Sequence, residues 1–441
     1  MKPEDILNVI KNSTGVTIDT RTMSKGEVFF AISGDNFDGN KFIEKALENG
    51  AVLAIGSDEK YKNRSDVVVV KDVLVTMQKL ARLYRSRFDI PIIAITGTNG
   101  KTTTKELLCT ILSGKYNVLC TKGNFNNHIG VPLTLFSLGK EHQIGIVEMG
   151  ASSLGEIKFL CEIAQPDFGV ITSIGKAHIE GFGSLENIVK TKLELFEYLV
   201  TNDGSFFFNE AVSEIEEYMK SDKCIKRFNA AQINGNVFSS LEVKNGFPYI
   251  SLEIFLNDGS ILECDTRLYG RYNFNNIVTS VKISDFFGVD SEVVTEKLSE
   301  YVPINNRSQI LTWNSNTVVL DAYNANPTSM MEALKSFLDI VTVKNKYLIL
   351  GDMLELGSES VREHKRIIEF IHSNNEFINV LFIGKEFLKA KKELAIHHND
   401  VLYFEDSDIA KRELLSMDLR DSLILAKGSR GIKVETIFLQ T

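Results

Sequence analysis

Residues 90–106, IPIIAITGTNGKTTTKE, gather a lysine, several hydroxyls and two glycines at one turn. The β-branched run of Ile92, Ile93 and Ile95 predicts a buried parallel strand. It breaks at Thr96-Gly97 and passes through Thr98, Asn99 and Gly100 into a helix beginning near Lys101. A glycine-rich turn at a helix N-terminus aims backbone N–H groups and the positive dipole end at one point, which suits a polyphosphate. Lys101 adds a full charge for the β/γ-phosphates, and the hydroxyl of Thr102, followed by Thr103, can hold Mg²⁺. In the common G-x-x-x-x-G-K-[ST] pattern the first glycine would fall on Ile95, so the reading rests on strand, turn and helix agreeing. It predicts an ATP-type site.

Other polar residues fall where such a site needs them. Glu148 ends the strand-like IGIVEMG, and His178 follows another in GVITSIGKAHIEGFG. In a parallel α/β sheet, ligands collect at the carboxyl ends of strands, so both share the rim of the phosphate turn. A carboxylate and an imidazole there can serve a metal and a transferred phosphoryl group; the alternatives are a helix cap or salt bridge for Glu148 and an ordinary loop histidine for His178. KGNFNNHIGVP, with Asn126, Asn127 and His128, reads as a substrate loop or as a stack of Asx turns. Asp321 in DAYNANP can accept from a ribose or an amine, and Asn324 and Asn326 follow it. KGSRG places Lys427 and Arg430 in a turn that can clamp a carboxylate or simply face solvent. Lys192, in KTKLELFEYL, reads by itself as a solvated helical charge.

Three α/β blocks must position these groups. Residues 1–88 mix short strands with the helix-like DVLVTMQKLARLYRSRF, and Pro91 marks their end. Residues 89–303 alternate IIAIT, NVLC, IGIVEM, FGVIT and SFFFN with helices, the rhythm of a parallel sheet. Between 236 and 269, NG and NDG turns break alternating strands into a small antiparallel meander. Residues 304–441 alternate again and read as a Rossmann-like domain without G-x-G-x-x-G.

At 441 residues the chain has room for several cores. A net charge of −9 argues against a nucleic-acid partner. Five scattered cysteines without C-x-x-C predict buried free thiols in a reducing compartment. MKPEDILNVIKNS lacks a signal-peptide core and no apolar run suits a membrane span, so a cytoplasmic protein, acting as a monomer, is expected.

Together these motifs resemble the Mur ligases, ATP-dependent amide-forming enzymes of peptidoglycan synthesis. The family's T-G-x-x-G-K-[ST] loop stands here as TGTNGKT. DTRTMSKGEVFFAISGDNFDG, GNFNNHIGVP, EMGASSLGEI, AHIEGFGS, DAYNANPTSM, LGDMLELG and KGSRG are similar to family motifs along the whole chain. GNFNNHIGVP, YNANP and LGDMLELG point to the branch that joins D-Ala-D-Ala to UDP-MurNAc-tripeptide through an acyl phosphate.

The resemblance implies roles. The loop from Gly97 to Thr103 would bind ATP, with Thr102 and Glu148 on Mg²⁺ and His178 on a second metal. Lys192 matches a lysine carbamylated by CO₂ to N6-carboxylysine, an anion able to hold metal. Asn273 and Asn276 would lie beside adenine, and Arg307 and Asp321 would complete the ATP site. Asp19, Thr20 and Arg21 would meet the UDP moiety, while Asn326 and Arg430 would lie near the dipeptide. Tyr272 stands where the family often has His, Ala322 where Ser or Thr is common, and Asn306 where Gly is usual. The MurE-type branch, which adds the third residue of the peptide, would carry D-N-P-R in its last domain, and this chain does not.

Overall fold

The computed structural model describes residues 1–208, 215, 230–232, 238–244, 247–256, 259–340, 345–374, 379–394, 401–417 and 419–439. Its centre is a wholly parallel six-stranded sheet in the order Ala230–Gln232, Ser205–Phe208, Phe168–Ile171, Ile92–Thr96, Ile144–Glu148 and Val118–Cys120. Every residue of Ile92–Thr96 is buried, because helices cover both faces and leave no polar alternation. The next strands in the chain go to either side of Ile92–Thr96. The loops leaving it and its neighbours therefore part, opening a crevice at their carboxyl ends.

The N-terminal unit is a parallel sheet of Val16–Thr17, Val28–Phe30, Leu53–Gly56 and Val67–Val69. Its helix Val73–Arg85 starts where the Asp72 carboxylate accepts from the N–H of Val75, and it packs onto the central unit. One apolar cluster runs through both units, from Phe30 and Met77 to Leu135 and Phe196. Arg85, buried at the joint, donates to the carbonyls of Ala164, Phe88, Ile90 and Gln165 and pairs with Asp167 at 3.0 Å.

Phe238–Lys244, Phe247–Phe255 and Ile261–Asp265 form the expected antiparallel meander; positions 245–246 and 257–258, in its predicted turns, lie outside the described residues. The C-terminal sheet runs Gln309–Trp313, Asn316–Asp321, Ser422–Lys427, Asn345–Gly351, Asn379–Ile383 and Val401–Phe404, parallel except at the first strand. Of its two clusters, one takes in Tyr269 and packs against Ile179 and Tyr272 of the central unit.

The expectation of free thiols fails for Cys109 and Cys120, which form a disulfide. The helix Lys101–Leu112 and the strand Val118–Cys120 bring their Cα atoms to 6.4 Å, within disulfide reach. Cys161 and Cys264 are buried free thiols, and burial pushes Cys264 up to about 12. Cys224 lies outside the described residues. Among the described residues no helix is long and apolar enough to cross a membrane.

Candidate active site

The phosphate-type turn is built by two glycines doing different things. Gly100, at φ 83, caps the helix Lys101–Leu112, and a Cβ there would meet Asn276 Oδ1 at 2.3 Å. Gly97, at φ 146, passes so close to the next strand that a Cβ would lie 2.2 Å from Thr172 Oγ1. The segment after Phe168–Ile171 fixes the turn from outside. Thr98 N–H donates to Ser173 O at 2.8 Å, Asn99 N–H to Ser173 Oγ at 2.8 Å, and Thr172 Oγ1 to Asn99 O at 2.6 Å.

A cavity of about 440 Å³ opens beside this turn, between the central and C-terminal units. It brings together Thr98, Asn99, Gly100, Lys101, Thr102, Thr103, Asn126, Asn127, His128, Glu148 and His178 from the central unit. Asn273, Asn276, Arg307, Asp321, Asn324, Asn326 and Lys427 line it as well. Gly97, Lys192, Arg430, Asp19, Thr20 and Arg21 are not on its wall. Arg430 stands one ring away, its guanidinium 5.5 Å from Tyr323, a residue that lines the cavity and carries Arg307 at 3.6 Å. Asp19 and Arg21 pair with each other at 2.7 Å in the N-terminal unit, where the guanidinium holds the Asp19 carboxyl at about 2. Beside them the Thr20 carbonyl accepts from Asn49.

Lys101 Nζ donates to the carbonyls of Gly97 at 2.7 Å and Thr98 at 3.1 Å. Burial lowers its pKa, Glu148 opposes that shift, and Arg307 adds to it. Glu148 is fully buried; its Oε1 accepts from Asn126 Nδ2 at 2.7 Å, while Oε2 has no hydrogen-bond partner among the described residues. A buried carboxylate oxygen left unpaired is costly, and a cation satisfies it. Among the described residues no three His, Cys, Asp or Glu side chains form a ready metal cage. Mg²⁺ takes one or two carboxylates and completes its shell with phosphates and water, and the unpaired Glu148 oxygen beside the glycine turn is a donor of that kind.

Two side chains differ from their plain reading in the sequence. Lys192 is only 3% exposed, with its Nζ 5.5 Å from the Phe182 ring, rather than a solvated helical charge. Burial, then the charge of Lys101, lowers its pKa to about 7. Lys427 is a buried strand residue rather than a turn residue. The register sets it beside Asp321, and their charged atoms meet at 2.5 Å. The other Asp321 oxygen accepts from the N–H of Ser308 at 3.0 Å, so both carboxylate oxygens are engaged within the protein.

Asn273 and Asn276 form a buried ladder: Asn276 Nδ2 donates to Asn273 Oδ1 at 2.8 Å, and Asn273 Nδ2 to Tyr269 O at 2.7 Å. Tyr272 shares a hydrogen bond of 2.7 Å with Ser308. Asn306 takes φ 59, a left-handed conformation that Asn tolerates better than most residues, which accounts for its standing where Gly is usual. Sequence reading passed over Tyr323 and Ser308 on the cavity wall, and Glu355, whose carboxylate lies 2.5 Å from His178 Nδ1. Glu355 stands in LGDMLELG, so the motif was visible although nothing local assigned that residue a task.

Family models match almost end to end: the Mur ligase family catalytic domain over residues 12–85, the Mur ligase middle domain over 95–283, and the Mur ligase glutamate ligase domain over 306–430. The UDP-N-acetylmuramoyl-tripeptide--D-alanyl-D-alanine ligase of Bacillus subtilis is 31% identical over 96% of this chain and 92% of its own. A crystal structure of MurF from Acinetobacter baumannii superposes with a TM-score of 0.84 at 26% identity, covering 98% of this chain and 97% of the other. The MurF ligase of Thermotoga maritima in complex with ADP gives 0.82 at 25% identity, covering 99% and 97%.

Proposed function

The chain belongs to the Mur ligase family, and from that premise we propose that it joins D-Ala-D-Ala to UDP-MurNAc-tripeptide, driven by ATP. The observation that carries the reading is the convergence of the 97–103 turn, Glu148 and His178 with C-terminal residues on one cavity. A carboxylate cannot accept an amine directly, because its leaving group would be oxide. The tripeptide carboxylate therefore attacks the γ-phosphate of ATP, giving an acyl phosphate and ADP. The dipeptide amine then attacks that carbonyl, forming the amide and releasing phosphate. The protein's share is positioning and charge neutralisation.

Residue by residue, Lys101 and the 97–103 turn, through the N–H groups not tied to Ser173, hold the ATP phosphates, and Asn273, Asn276, Arg307 and Asp321 hold the rest of the nucleotide. Thr102, Glu148, His178 and carbamylated Lys192 would hold Mg²⁺, which neutralises phosphate charge when bound; the unpaired Glu148 Oε2 supports this set. Carbamylation needs a neutral amine to attack CO₂, and a buried Lys192 held near 7 supplies one. Asp19, Thr20 and Arg21 serve the uridine end. Asn126, Asn127 and His128 serve the peptide, whose loop is tied to the N-terminal unit where Gln78 donates to His128 O at 3.0 Å. Asn324, Asn326, Lys427 and Arg430 serve the dipeptide. We place the enzyme in the cytoplasm as a monomer with the C-terminal unit rotating to assemble the site.

The test is phosphate release from ATP with each of the other substrates added or withheld. Release only with both present, and a pentapeptide product by mass, is expected. Lys101→Ala should abolish it, and near-normal turnover in that variant would sink the phosphate-site assignment.

A further inference from the structure

We propose that Glu355, on the C-terminal unit, is a positioning residue for His178, so that docking of that unit sets the histidine for its ligand. This rests on the assignment of His178 to the metal given above. His178 Nδ1 and Glu355 Oε2 are 2.5 Å apart, across the junction of two units. Both residues occupy left-handed backbone, His178 at φ 50 and Glu355 at φ 63. Non-glycine residues seldom adopt that conformation, and it persists where surroundings impose it, often at functional sites.

The surroundings here are specific. Lys176 Nζ pairs with the buried Glu363 at 3.1 Å, Gly175 lies against Thr328, and Gly357, at φ 53, lies against Glu180. The C-terminal unit thus grips residues 175–180 at several points. On the other side Thr98 and Asn99, in the phosphate turn, hold Ser173 and Gly175. One segment is therefore shared by the glycine turn and the C-terminal unit.

The side chains of His178 and Glu355 are 39% and 62% exposed, and a polar contact so exposed adds little to stability. Its consequence is orientation. A carboxylate in contact with Nδ1 restrains the ring and leaves Nε2 as the nitrogen free to meet a ligand, on a ring that lines the cavity. Carboxylate support of this kind commonly changes metal affinity by about 10- to 100-fold.

The experiment uses the full chain with a non-hydrolysable ATP analogue and reads Mn²⁺ binding from the paramagnetic resonance of the free ion. Glu355→Ala, His178→Ala and the double variant are compared with the parent, together with thermal midpoints and steady-state kinetics. Glu355→Ala should weaken Mn²⁺ by about tenfold or more. It should lower kcat while leaving the thermal midpoint and the KM for D-Ala-D-Ala unchanged, and it should add nothing in the His178→Ala background. Unchanged Mn²⁺ binding in Glu355→Ala, with binding weakened in His178→Ala, overturns this inference and leaves the metal assignment standing. A full further loss in the double variant overturns it too. Unchanged binding in His178→Ala removes the metal assignment itself, and the inference with it.

Discussion

Asn326 Nδ2 donates to Asn99 Oδ1 at 2.8 Å, joining a C-terminal helix to the phosphate turn across 227 positions of chain. Asn326 also caps its own helix, Pro327–Leu338, by accepting from the N–H of Ser329. The two tasks use different atoms, so they can be separated. Asn326→Asp keeps the acceptor and loses the donor. It should hold the thermal midpoint and weaken ATP-dependent turnover by about tenfold, the worth of one interdomain hydrogen bond. Asn326→Ala should lose both, with about 1 kcal/mol of stability gone with the cap. Thermal unfolding and kinetics on the pair check this; equal turnover in Asn326→Asp and the parent would mean the contact does not matter to catalysis.

Glu148→Gln removes a buried charge that faces Lys101 but whose Oε2 has no hydrogen-bond partner among the described residues, so the two effects oppose and stability should change little. Metal affinity should fall at least tenfold, because a neutral amide is a poor ligand for a hard cation. Mn²⁺ titration alongside urea unfolding reads both. Loss of stability without loss of metal binding would make Glu148 a structural residue.

Lys192 is held at about 7 by burial, against an ordinary 10.5. In the folded chain its amine is largely neutral above pH 7, while the unfolded chain keeps it protonated until about 10.4. Between those limits the unfolded state binds more protons, so this group's contribution to stability rises with pH; below 7 its penalty is complete. Carbamylation requires the neutral amine, so recovery of CO₂-stripped enzyme at fixed dissolved CO₂ should slow about tenfold per unit below pH 7. A recovery rate independent of pH from 5.5 to 8 would separate Lys192 from CO₂ chemistry.

Arg85→Met keeps much of the side-chain volume but leaves the carbonyls of Ala164, Phe88, Ile90 and Gln165 without their donor. The expected loss is about 2–4 kcal/mol, read from the urea midpoint. A change near zero would show that water replaces the guanidinium at this joint.

The residues that depend on local pattern were legible. An apolar run between a turn and a helix has few ways to fold, so the strand Ile92–Thr96, the glycine turn and the helix from Lys101 follow from spacing. Glu148 and His178 follow because a parallel sheet gathers its strand ends on one rim, and both line the same cavity. Tyr272 and Asn306, which depart from the family pattern, keep cavity-side and left-handed positions that their own chemistry tolerates.

The amino-acid order alone therefore determined the alternating architecture and the glycine turn with Glu148 and His178 on its rim, since these arise from contacts near in sequence or from sheet topology. It did not determine that Lys192 is buried, that Lys427 neutralises Asp321, that Cys109 meets Cys120, or that Glu355 reaches His178. Lys427 and Asp321 lie 106 positions apart and meet only because two strands share a register. Glu355 reaches His178 only because one domain docks on another. Burial and charge pairing belong to the packed chain, and a residue's neighbours in space leave no mark on its neighbours in sequence.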